Sequence, residues 1–136
     1  MDNYTERLRQ EGLNLIILKD DKTIFKSSKE GMQPLLEAIH SLDSSTLKDS
    51  IVVDKIVGKA AALLISYFQA KEVHTMIMSV RAREVLKRYG IKYHSERTIP
   101  EIVNRLGTGI CPFEQAVLDV DEPEKGYERL STKLKP

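Results

Sequence analysis

Gly58-Lys59-Ala60-Ala61-Ala62-Leu63-Leu64-Ile65-Ser66-Tyr67-Phe68-Gln69-Ala70, followed after Lys71 by Glu72-Val73-His74-Thr75-Met76-Ile77-Met78-Ser79, is the stretch that decides the fold. The first part is apolar nearly all round, the pattern of a helix buried on every side. The second carries apolar residues at odd and even positions alike. A strand of that kind is covered by helices on both faces. A buried helix leading into such a strand predicts layered α/β architecture.

Working outward, residues 80–89 form an amphipathic helix with Val80, Ala82, Val85 and Leu86 inward, closed by Gly90. Residues 91–94 begin another strand. On the N-terminal side, β-branched residues 50–54 read as a short strand. Residues 13–18 and 23–27, joined by the turn 19–22, read as an antiparallel hairpin. Residues 32–42 repeat Leu35, Leu36, Ile39 and Leu42 at helical spacing, and Pro34 fits that helix only in its first turn. Residues 2–11 make an opening helix stopped by Gly12, and 44–50 a polar connection. Two short helices are expected at 100–105 and 112–118. The expected architecture is a three-layer αβα fold with a mixed sheet and an antiparallel edge hairpin. Residues 1–120 are read as one domain, and residues 121–136 as a charged tail outside the core.

The composition narrows function mainly by exclusion. A chain of 136 residues with a net charge of +1 has no global attraction for nucleic acid or an anionic membrane. Three Phe, five Tyr and no Trp make no base-stacking platform. The longest apolar run, residues 60–65, is too short to span a bilayer. One cysteine rules out an intrachain disulfide, and the chain opens without a secretory pattern, so a cytoplasmic location is expected. His40, His74 and His94 fall on separate elements without ligand-like spacing, so no metal site is expected. No motif calls for a cofactor, and homo-oligomerisation is left open.

Two stretches could carry chemistry. The lone Cys111 ends the glycine-rich segment Asn104-Arg105-Leu106-Gly107-Thr108-Gly109-Ile110 and precedes Pro112. Proline at a first helical position makes Cys111 the N-cap, where free N–H groups favour a thiolate. Glu114 stands where a capping-box carboxylate reaches back to that cap. Glycines at 107 and 109, with Arg105, suit a close backbone approach to an anion. The competing readings are a buried packing cysteine and an ordinary turn. The second stretch, Asp54 to Ala62, sets Lys55 and Lys59 beside Gly58, Ala60 and Ala61 at a helix start, which suits either close packing or a bound anion. It is not a phosphate loop, because Val53 stands where glycine is needed and Ala60 where serine or threonine is needed.

Val53-Asp54-Lys55-Ile56-Val57-Gly58-Lys59-Ala60-Ala61-Ala62-Leu63-Leu64 and Asn104-Arg105-Leu106-Gly107-Thr108-Gly109-Ile110-Cys111-Pro112-Phe113-Glu114-Gln115-Ala116-Val117 together resemble an uncharacterised prokaryotic domain family with the cytidine deaminase-like fold. The resemblance runs over about residues 1–119. It implies a fold, not an activity. Deaminases of this fold begin one core helix with His-Ala-Glu and the next with Pro-Cys-x-x-Cys, which supply the zinc ligands and the proton shuttle. Here the corresponding stretches are Gly58-Lys59-Ala60-Ala61 and Ser79-Val80-Arg81-Ala82-Arg83, which hold none of these. Zinc-dependent deamination therefore has no chemical basis. The resemblance further implies a mouth beside Gly58, Ala60, Ala61 and Ser79; a Cys111 loop folded over that mouth would put the thiol in the place of the metal.

The leading expectation is a site for a small anionic or nucleotide-like molecule. Its reactive groups would be Cys111, Asp54 and Lys59, with Lys55, Asn104, Arg105, Gly107, Thr108, Gly109 and Glu114 as further ligand contacts. The alternative is a non-catalytic ligand-binding or redox-sensing module. A structural role through the sheet edge or the tail ranks third.

Overall fold

The computed structural model describes residues 3–103, 107 and 109–134. Helix α1 (Tyr4–Glu11) is followed by β1 (Leu15–Lys19), β2 (Lys22–Ser27) and α2 (Gln33–Ser41). Then come α3 (Ser44–Leu47), β3 (Ile51–Val57), α4 (Lys59–Tyr67) and β4 (Glu72–Ser79). The chain continues with α5 (Val80–Arg88), β5 (Lys92–Ile99), α6 (Pro112–Ala116) and α7 (Pro123–Leu134). The five strands form one mixed sheet in the order β2-β1-β3-β4-β5. The β1–β2 and β1–β3 pairs are antiparallel, whereas β3–β4 and β4–β5 are parallel. This is the expected three-layer α/β fold with its antiparallel edge hairpin.

Alternation along the strands divides the core in two. Ile16, Leu18 and Val53 point to the face covered by α1 through Leu8. Leu15, Ile17, Val52 and Val73 point to the opposite face, where residues of α2, α4, α5 and α7 cover them. Every residue of α4 from Lys59 to Ser66 is buried, which is why no polar stripe marks this helix.

The structure corrects several sequence expectations. The connection 44–50 includes the short helix α3. The strand expected to end at Asp54 runs on to Val57, and the one begun near His94 runs to Ile99. No helix forms at residues 100–103; Val103 instead bridges Ile110. The rest of that expected helix lies outside the described residues.

The largest correction concerns the segment after 120. It is not outside the core: α7 lies on α4, and Leu130 is completely buried. A Cβ built on Gly126 would stand 3.0 Å from Leu63, so the two helices meet closely there. Tyr127 stacks on Tyr67 at 4.4 Å and its hydroxyl meets His40 Nε2 at 2.9 Å. Tyr127 and Leu130, three residues apart among charges, are too sparse a stripe to stand out in the sequence. No helix among the described residues is long and apolar enough to cross a membrane.

Candidate functional site

Strand β3 outruns its antiparallel neighbour. Pairing with β1 ends at Leu15 opposite Asp54, and the last backbone bond on that side is Lys55 N–H to the Asn14 carbonyl, 3.0 Å. Beyond it Ile56 and Val57 pair only with β4. Residues 29–32, 102–103 and 111–114 approach this gap without closing it, leaving a cavity of about 650 Å³. The Asn14 amide donates to the carbonyls of Ser28 and Lys29, 2.9 and 3.2 Å, and so holds one wall.

Asp54, Lys55, Gly58, Ala61, Cys111 and Glu114 all line this cavity. Residues from the two sequence stretches thus share one site although fifty or more positions separate them. The remaining wall is largely apolar and includes Met32, Leu35, Ile102 and Phe113. Two exposed apolar side chains, Ile56 at 43% and Val103 at 57%, also border it. Lys29, Glu30 and Gly31 border it too, and sequence reading passed over them. Their one signal was a charged Lys-Glu-Gly turn leading into the Pro34 helix; Gly31 has φ +78°, a left-handed conformation that glycine adopts without strain.

Asp54 is half-buried, and burial pushes its carboxyl up to about 7, opposed by the backbone N–H groups of Ile56 and Lys55. Cys111 is half-buried at the N-cap of α6, and its N–H donates to the Ile102 carbonyl at 2.9 Å.

Glu114 does not close a capping box on its own helix. Its Oε1 accepts from Lys59 N–H and its Oε2 from Ala60 N–H, both at 2.7 Å. Gly58, the N-cap of α4, has no side chain to cap with, and the remote carboxylate does so instead. A Cβ on residue 58 would stand 2.3 Å from Glu114 Oε1 and 2.8 Å from Ile102 Cγ1, so only glycine admits this approach. Burial raises the Glu114 carboxyl above its ordinary value, against the pull of the two N–H groups and Lys59.

Lys59 turns away from the cavity. Its Nζ donates to the Leu118 carbonyl at 3.0 Å and pairs with Asp121 at 3.3 Å. Ser79 is fully buried and spends its hydroxyl on Ala82 N–H, 3.1 Å away. Ala60 reaches the site only through its N–H. Gly107 and Gly109 are exposed and do not line the cavity; Asn104, Arg105 and Thr108 lie outside the described residues. The residues at the head of α4 do not fit the zinc ion of deaminases, because the chain's own Glu114 carboxylate occupies the helix terminus.

One cluster was missed. Glu72, His74 and His94 present ligand atoms within 4.8 Å of one another. The histidines do lie on separate elements, but those elements are neighbouring parallel strands in register at His74 and His94.

A family model described as TM1506, domain of unknown function (DUF1893), matches residues 3–134 and so takes in the segment expected to lie outside the resemblance. A similar solved structure is a DUF1893 family protein (TM1506) from Thermotoga maritima, 28% identical, with a TM-score of 0.86 over 98% of this chain and 92% of that one. Acinetobacter baumannii RibD matches 67% of this chain and 32% of its own at 14% identity and a TM-score of 0.50, a weak likeness of fold alone. No curated protein matches.

Proposed function

The chain belongs to the DUF1893 family, a domain of unknown function, and we propose that its cavity at the end of β3 binds a small molecule. One observation carries this reading: the cavity gathers Asp54 and Cys111 within a largely apolar wall whose rim leaves Ile56 and Val103 exposed. Concave sites with few polar groups in apolar walls are the usual form of small-molecule pockets. The occupant has a flat or apolar body and an anionic group. The body lies against Met32, Leu35 and Phe113, and the anion meets Lys55, which takes the role expected of Lys59, while Lys29 beside it is paired with Glu37 at 2.7 Å. The head of α4 is not the anion site, since Glu114 fills it.

Asp54 acts as the proton-exchanging group. Below pH about 7 its neutral acid donates to the ligand; above that pH its charge repels an anion. Catalysis by the Cys111 thiol is a second reading, favoured by its place on the same wall.

The test is the rate of Cys111 alkylation by iodoacetamide across a panel of nucleoside monophosphates and heterocyclic carboxylates. A bound compound should slow alkylation at pH 6 and protect less at pH 8, its affinity falling by up to tenfold per pH unit above 7. Asp54→Asn should remove that pH dependence, and Ala61→Phe, which fills the cavity, should abolish protection. A compound that binds Ala61→Phe as tightly as the parent overturns the reading.

A further inference from the structure

At the opposite end of the parallel strands from the cavity, the sheet face under α1 carries a second set of functional side chains. Residues two apart on a strand point to the same side, so Glu72 and His74 share that face. His94 sits directly across from His74 in the parallel register and stacks on it, with ring centroids 4.7 Å apart and planes 16° from parallel. The Glu72 carboxylate meets His74 Nε2. The Tyr4 ring of α1 closes one side at 4.7 Å from the His74 ring.

We propose that Glu72, His74 and His94 form a binding site for a divalent transition-metal ion of the zinc class. The donor set is two imidazoles and one carboxylate. Imidazole nitrogen selects zinc, nickel or copper over magnesium and calcium, which prefer oxygen ligands. Three protein donors suffice when water completes the shell, as in open zinc sites. Their ligand atoms already lie within 4.8 Å of one another, and side-chain rotation alone would draw them onto one ion. The side chains of Glu72 and His74 are 20% and 17% exposed and His94 is exposed, so a hydrated ion enters from solvent without opening the core. The nearby Glu96 is engaged by Arg9 and Thr5 of α1 and is not a fourth donor. Lys71, next to Glu72 in the chain, carries a positive charge that opposes a cation there. The bound ion would tie β4 to β5 beneath α1.

The untagged full chain tests this by titration with Zn²⁺ alone, followed by competition with a chromogenic chelator, and by Co²⁺ absorption. One ion per chain is expected. His74→Asn and His94→Asn should each weaken binding roughly tenfold or more, and should remove the metal-dependent rise in melting temperature. His40→Asn and Cys111→Ser should bind as the parent does. Metal-free melting of each variant shows that it is folded. Failure of the folded parent to bind Zn²⁺ at hundredfold excess, or undiminished binding by the folded double variant His74→Asn/His94→Asn, overturns the proposal.

Discussion

The two core helices that follow parallel strands begin in different ways. Helix α5 is capped by its own Ser79, whose hydroxyl accepts from Ala82 N–H three residues on. Helix α4 has Gly58 at its N-cap, which has no side chain to offer, and its Lys59 N–H borrows the carboxylate of Glu114 from 55 residues away. A local cap stabilises one helix end. A borrowed cap does that and also fastens the lending segment, here residues 111–114, which form the Cys111 wall of the cavity. The α4 cap is therefore also the latch of the site, and the α5 cap is not.

Substitutions at the two caps should separate these roles. Gly58→Val has the largest expected effect. It drives a side chain into Glu114 and Ile102, breaks two charge-assisted bonds and crowds a closed site, at a cost of about 3 kcal/mol or more. Urea unfolding measures that loss, and faster alkylation of Cys111 reports the opened wall. Glu114→Gln comes next. It keeps one acceptor and turns an amide N–H₂ toward the other N–H donor, costing about 1–2 kcal/mol. Its pH dependence has a definite sign. The folded-state value for Glu114 is raised, so the stability this group contributes is full below its ordinary range and is lost as pH rises through the folded value. The parent's advantage over Glu114→Gln in urea unfolding should then be smaller at pH 8 than at pH 4. Ser79→Ala should be the mildest, costing about 1 kcal/mol and leaving Cys111 alkylation unchanged. Equal acceleration of alkylation by Ser79→Ala and Gly58→Val would erase the distinction between a cap and a latch.

The same contrast shows what the sequence could reveal. The α4 stretch and β4 were legible because apolar residues repeat within a dozen positions, and Ser79 sits next to the helix it caps. Residues 53–64 and 104–117 could be picked out as two stretches, but not the bond between them. A carboxylate three residues after an N-cap fits a local capping box, and nothing in the sequence says that Glu114 reaches Lys59 and Ala60 instead. Lys59 misled for the reverse reason: its partners, the Leu118 carbonyl and Asp121, lie far along the chain, and Asp121 opens the segment read as leaving the core. The pairing of His74 with His94 depends on strand register, which the helix and loop of residues 80–91 conceal. Asp54 was legible as an unusual charge beside apolar neighbours, but its raised pKa follows from burial that only the assembled fold provides.

The packing of α7 on α4 also bears on how the chain is made. Most of the sheet and its helices are specified by the first hundred or so residues, yet α4 gains its outer wall only from Gly126, Tyr127 and Leu130. During synthesis from the N-terminus, Leu63 and Tyr67 stay uncovered until residues 123–134 have left the ribosome. A nascent chain stalled before that point would present an apolar helix to the solvent, and chaperones that recognise such surfaces should hold it longer than the finished protein.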